Sequence, residues 1–417
     1  CGIYLEDDLA KDGVGPLPCT TKFVAEQPLV VAERYALARD KVRYVGDPVA
    51  LVLAETEMAA QEAAELVLVD YEALPVVVNP VNSMQDGNPL IWSNAPKNIA
   101  YRFKKGEKES TEAAFHAAAH IVELDIENNR VMALPIEPRA GIGEYDPKND
   151  VMRLICTAQG VHAIREQLAQ SVFSMDEKKI QISAPDVGGG FGLKNFLFPE
   201  WVLLLWASKK KRRAVKWVAD RAEDHAASLH GRDIRTVAKL ALDQEGRFLA
   251  LQANLTANMG AYLSAGGPNA STNSAPTAMG GIYNIPSIYM ESVGVFTNTT
   301  PIDAYRGAGK PEANFIIERL IDTAALRCKF DPVELRLLNA IDKFPHETAF
   351  GMRIDTGAFK ENILKASEYI QRNSFIERKN SAQKKGLLRG LGVGCFLEPA
   401  RGAPQEGVSI RFTEWGR

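Results

Sequence analysis

Three short stretches hold residues whose types and spacing could do chemistry. The first is Gly188-Gly189-Gly190-Phe191-Gly192. One reading is a tight strand-to-helix turn, since glycine enters positive φ at little cost. The other is a nest, in which N–H groups bared of side chains approach an anion or oxo group closely. Phe191 has little to pack against among glycines and is expected to face a ligand. No Gly-Lys-Ser/Thr follows, and Gly-x-Gly-x-x-Gly does not fit, so neither a Walker loop nor a dinucleotide fingerprint is present. The second stretch is Arg306 with Gly307, Ala308 and Gly309, followed by Pro311 and a long helical pattern. It is either a surface arginine in a turn or a fixed guanidinium whose planar donors suit oxo and phosphate groups near a helix N-terminus. The third is Gln159, just before another helical pattern. It is either solvated or, if buried, an amide donor and acceptor for a ligand.

Other chemistries lack their residues. The six histidines form no paired ligand pattern; His116 and His120 are four apart, without the glutamate of His-Glu-x-x-His. Five scattered cysteines, none spaced as Cys-x-x-Cys, argue against a disulfide framework, a zinc site or a chain-borne iron–sulfur cluster. No Ser-His-Asp or Gly-x-Ser-x-Gly arrangement is evident. With 417 residues, 46% hydrophobic, 24% charged and a net charge of −3, the chain reads as soluble globular material of two or three domains. The basic run 209–213 reads as a solvated turn, and nucleic acid is not expected. A reducing cytoplasm is the expected location. Residue 1 is cysteine, so a truncated or processed N-terminus is expected.

The elements that must position these stretches can be sketched. Strands are expected at Pro48–Leu53 and Leu66–Tyr71, around a helix at Glu57–Ala64 capped by Thr56. Residues 83–110 read as a polar linker. Gly160–Phe173 has helical spacing, after which Ile180–Ser183 and Ala214–Val218 read as strands flanking a helix at Glu200–Ser208. Asp220 and Glu223 have capping-box spacing. Val237–Ala257 alternates around a turn and predicts a hairpin. Helices follow at Pro311–Cys328 and Asp331–Ala340, the latter with Asp331 as cap and Pro332 in its first turn. Leu388–Leu397 and Gly407–Thr413 read as strands of a region that stops short.

Read together, these glycine-bearing stretches and the run from Arg43 to Pro80 resemble the molybdenum-cofactor subunit of the xanthine dehydrogenase/aldehyde oxidase family. The similarity covers nearly the whole chain, including residues 129–147. It implies an α+β fold: a partial α/β hammerhead domain (1–82), the linker (83–110), a first molybdenum-cofactor-binding domain of mixed sheets and helices (111–345), and the truncated start of a second (346–417). It implies a molybdenum–pterin cofactor, molybdopterin or its cytosine dinucleotide, with no side chain ligating the metal. Gln159, Gly189, Gly190, Phe191, Gly192, Arg306 and Gly307 are then the expected cofactor-binding residues. Phe191, Asn195 and Ala308 would line a substrate channel. Asn195 stands where purine-oxidising members carry glutamate, and Ala308 where they carry phenylalanine. Gly307 stands where carbon-monoxide oxidisers carry cysteine. Xanthine and carbon monoxide are therefore not the expected substrates. The family's base and a later cofactor motif are missing, so the isolated chain is expected to be inactive. The layout resembles the split subunit of nicotinate dehydrogenase, which suggests an N-heterocycle, or otherwise an aldehyde, with water as oxygen source. A [2Fe-2S] subunit, an FAD subunit and a second polypeptide with the remaining cofactor domain are the implied partners. A cofactor-free scaffold, or simple nucleotide binding by the glycine loop, stays open.

Overall fold

The computed structural model describes residues 1–25 and 27–399, together with 407, 408, 410 and 412. Near the N-terminus, β1 (Gly2–Tyr4) leads into α1 (Glu6–Lys11), and β2 (Leu51–Leu53) returns antiparallel to β1. Thr56 caps α2 (Glu57–Glu65) by accepting the Ala59 N–H at 3.2 Å. The expected strand at Leu66–Tyr71 is absent. That run joins no ladder among the described residues, and Leu68 is left 93% exposed. A strand needs a partner edge to exist, and the β1–β2 ribbon is only three residues long.

After α3 (Pro80–Ser83) the chain enters β3 (Ile99–Gly106), α4 (Lys108–Ala117) and β4 (His120–Asn128). The expectation of a linker over 83–110 is thus corrected: β3 pairs along its length with a central strand. Its apolar positions Ala100, Tyr101 and Phe103 are buried, and the polar run around them concealed the strand.

Next come β5 (Ala140–Asp146), β6 (Val151–Cys156), α5 (Val161–Gln167) and β7 (Ile180–Ser183). They are followed by α6 (Pro199–Lys211), β8 (Val215–Val218) and α7 (Arg221–Ala227). The helical pattern expected over 160–173 relaxes into a π-helical turn at Leu168–Val172. The four strands form a sheet in the order β7-β6-β5-β8, with β6 and β7 parallel. Helix α6 is apolar on every side from Trp201 to Ala207 and buried from Pro199 to Ser208, as a helix enclosed by protein must be. It packs on this sheet, where the absence of side chains at Gly141 and Gly143 admits Leu204. Trp206 on its far side donates to Asp12 at 2.9 Å, tying it to the N-terminal module.

The hairpin forms as expected, as β9 (Ile234–Leu242) and β10 (Phe248–Gly260); β11 (Ser287–Phe296) then runs parallel to β10. These make a five-stranded sheet in the order β3-β11-β10-β9-β4. Helices α8 (Lys310–Cys328) and α9 (Pro332–Asn339) share its core. Asp331 caps α9 as expected, accepting the N–H groups of Val333 and Glu334. A short ribbon, β12 (His346–Glu347) and β13 (Arg353–Ile354), precedes α10 (Phe359–Tyr369) and α11 (Phe375–Lys384).

The strand expected at Leu388–Leu397 is also corrected. The segment is extended but unpaired in any described sheet, and Val393, Cys395 and Leu397 pack into the core beside α8. Asn314 substitutes for a strand neighbour, accepting the Leu397 N–H at 3.1 Å and donating to its carbonyl at 3.2 Å. The expected strand Gly407–Thr413 lies partly outside the described residues, and its described positions 407, 408, 410 and 412 belong to no strand.

Candidate cofactor and substrate site

Gln159, the glycine loop and the Arg306 turn follow β6, β7 and β11 respectively, and each precedes a helix. Carboxyl ends of strands leading into helices are where α/β architectures gather ligand groups. The structure brings all three together. Gln159 Oε1 accepts the Gly192 N–H at 2.9 Å, and the Gln159 N–H donates to the Lys194 carbonyl at 2.9 Å. The Arg306 N–H donates to the Phe191 carbonyl at 2.9 Å. Two glycines permit this approach. A methyl group at Gly190 would lie 2.4 Å from Gln159 Oε1. One at Gly192, whose φ is +92°, would lie 2.7 Å from the Ala304 carbonyl.

What remains unspent is a set of donors. Among the described residues, the N–H groups of Gly189, Gly190 and Phe191 make no hydrogen bond. Nor do the Arg306 guanidinium and the Gln159 amide nitrogen, and both side chains are exposed. Three amides, a carboxamide and a guanidinium beside one another suit an oxygen-rich anionic group. Gly307 continues the turn at φ +95°.

Residues not singled out from the sequence hold these loops in place. Lys194 is fully buried and donates to the Glu137 carbonyl and to Glu137 Oε2, each at 2.8 Å. The same Oε2 accepts the Gly188 N–H at 2.8 Å, so one carboxylate fastens both ends of the glycine loop. Arg232 donates to the carbonyls of Tyr305 and Arg306 and to Glu312, which leaves Arg306 free to project. The only sequence signal for the first pair was a lone glutamate and a lone lysine inside otherwise apolar or glycine-rich runs.

A cleft of about 900 Å³ opens beside the loops. Asn195 and Ala308, both expected in a substrate channel, line it with Asp303, Ala304 and residues from Gly266 to Ser274. The third expected member, Phe191, does not. With φ +52° its ring folds toward Gly189 and stays 43% exposed, outside the cleft wall. The i, i+4 histidine pair is also accounted for. His116 caps back onto the Glu112 carbonyl, and the described residues hold no group of three metal-ligating side chains.

A family model described as the molybdopterin cofactor-binding domain matches residues 91–340. Another, for the aldehyde oxidase and xanthine dehydrogenase a/b hammerhead domain, matches residues 3–75. The chain is 34% identical over 365 residues to the nicotine 6-hydroxylase large subunit of Paenarthrobacter nicotinovorans, covering 87% of this chain and 44% of that protein. It is 29% identical over 346 residues to the nicotinate dehydrogenase large molybdopterin subunit of Eubacterium barkeri, covering 82% of this chain and 77% of that one. Quinoline 2-oxidoreductase from Pseudomonas putida 86 superposes with a TM-score of 0.85 at 29% identity, over 93% of this chain and 49% of that chain. The chain thus spans less than half the length of the first and third of these relatives. With both domain models matched in order and the glycine and arginine loops meeting in space, the chain belongs to the aldehyde oxidase and xanthine dehydrogenase family, as part of a molybdenum-binding large subunit.

Proposed function

We propose that this chain cradles the molybdenum–pterin group of a hydroxylase that oxidises a pyridine-type N-heterocycle with water as oxygen source. The observation that carries the reading is the junction of Gln159, Gly192, Phe191 and Arg306, which brings together three stretches that bear unpaired donors. The relatives named for nicotine, nicotinate and quinoline support the heterocycle, with an aldehyde as the second substrate class. When bound, the cofactor supplies the oxygen transfer and accepts the electrons. The chain's own residues bind and orient. The amides of Gly189, Gly190 and Phe191 meet oxygen atoms, Gln159 donates from its amide nitrogen, and Arg306 with Gly307 closes the other side. Asn195 and Ala308 shape the cleft that admits the ring. The cytosine dinucleotide form, the iron–sulfur and flavin partners, and a second polypeptide with further cofactor contacts belong to the same proposal. So does a division near 82 and 345, with residues from 346 onward beginning a second cofactor-binding domain. The general base is placed outside this chain, which alone would turn over nothing.

Metal analysis after co-expression with the neighbouring subunits tests this. Stoichiometric molybdenum and hydroxylation of nicotinate-like rings are the expected results. Molybdenum-free protein under conditions that load a known family member would overturn it in favour of a scaffold. Turnover by the isolated chain would defeat the assignment of the base.

A further inference from the structure

The turn that carries Arg306 begins at a buried carboxyl group. Asp303 is 3% exposed. Its Oδ1 accepts the Ala304 N–H at 2.7 Å, and its Oδ2 accepts the Gly266 N–H at 2.8 Å. Oδ2 also lies in hydrogen-bond contact with Ser264 Oγ, which is 2.6 Å from the Ile302 carbonyl oxygen. A hydroxyl has one hydrogen to donate. Ser264 is the only donor to that carbonyl among the described residues. If Asp303 were a carboxylate, two acceptors would compete for one hydrogen, and one would face bare oxygen lone pairs at a buried position. A further proton on Asp303 resolves the conflict, with Ser264 donating to Ile302 and Asp303 donating to Ser264.

We propose that Asp303 is a positioning residue held as a neutral acid, whose O–H to Ser264 clasps the Arg306 turn to the loop bearing Gly266. This rests on the proposed function only for its bearing on turnover. The surroundings agree. Burial pushes the carboxyl up to about 7 despite its donors and the nearby charge of Arg34. Arg34 is itself bonded to the Tyr44 hydroxyl at 3.5 Å. Cys19 faces Asp303 from the N-terminal module as a thiol whose pKa burial raises. Phe196 comes close from the glycine-loop side. His230 contributes its backbone carbonyl, which accepts the Asp303 N–H at 2.8 Å, while its ring turns to Arg130.

The test compares wild type with Asp303→Asn, whose amide can replace the O–H donor but cannot ionise. Because the folded group holds its proton above the pH at which the unfolded one loses it, wild type loses stability relative to the variant as pH rises from about 4 to about 7. The Tm difference should move in the variant's favour by about 1–2 °C per pH unit over that window, then level off. A difference flat with pH overturns the neutral acid. In the assembled enzyme the ratio of variant to wild-type kcat should rise between pH 6 and 8, as wild type alone loses the clasp. A constant ratio overturns the positioning role. The thermal arm needs no cofactor, so its failure is distinct from failure of the proposed function. Should the variant not fold, wild-type chain carrying 13C-carboxyl aspartate answers the same question. A protonated-carboxyl infrared band at pH 6 that survives Asp47→Asn supports the clasp, and its absence overturns it.

Discussion

Arg306 and Lys194 carry the same charge and have opposite fates, and their surroundings explain why. Arg306 is exposed with every side-chain donor unspent among the described residues, while Lys194 is fully buried and bound to Glu137. Arg306→Ala should therefore leave stability nearly unchanged and lower turnover of the assembled enzyme by about 10²-fold, the usual cost of one preorganised donor. Glu137→Ala should do the reverse to the fold, stranding a buried ammonium. Its cost is placed at ~3 kcal/mol, the low end for a broken buried pair, because the Glu137 side chain keeps 29% exposure. Urea denaturation of the two variants separates these outcomes. Gly190→Ala is expected to push Gln159 aside and reduce molybdenum content after co-expression, since the new methyl has only 2.4 Å to the amide oxygen.

Among elements, the ones read best from sequence signal locally. The Thr56, Asp220 and Asp331 caps, the β9–β10 hairpin and the amphipathic α8 all depend on neighbours within a few residues. Those misread depend on distant partners. β3 is a strand because β11 lies beside it, and 66–71 is not one because no described edge does. The same division holds at the site. The glycine and arginine motifs were visible in sequence, but Asp303, Glu137 and Arg232 act across 37 to 80 positions of chain, which spacing alone does not reveal. The segment 393–399 stays against α8 through Asn314, the Lys310–Glu398 ion pair and its own apolar side chains. Asn314→Ala should loosen it, and limited proteolysis should then cut between 386 and 399 faster while the rest of the chain resists.

For the molecule as a whole, buried titratable groups oppose one another across the acid range. His230 is pushed down to about 4 by burial, with the charge of Arg130 adding to it. It is neutral when folded, whereas the unfolded imidazole takes up a proton below about 6.5. Its contribution is therefore present above pH 6.5 and lost as pH falls toward 4. Glu223, raised to about 7 chiefly by burial, has the opposite sign and weakens the fold as pH rises from about 4.5 to 7. His230→Gln should lessen the acid-side loss by ~1–2 kcal/mol at pH 4.5, which thermal melts across pH 4–8 would show.

Between the parallel neighbours β10 and β11 the chain must cross over, and residues 261–286 make that crossing while presenting Gly266 to Ser274 to the cleft. Ser264 and Gly266 bind Asp303, and the missing side chain of Gly309 admits the Ala270 carbonyl, so this crossing and the Arg306 turn are built against one another. A change in that wall of the cleft is therefore carried into the turn.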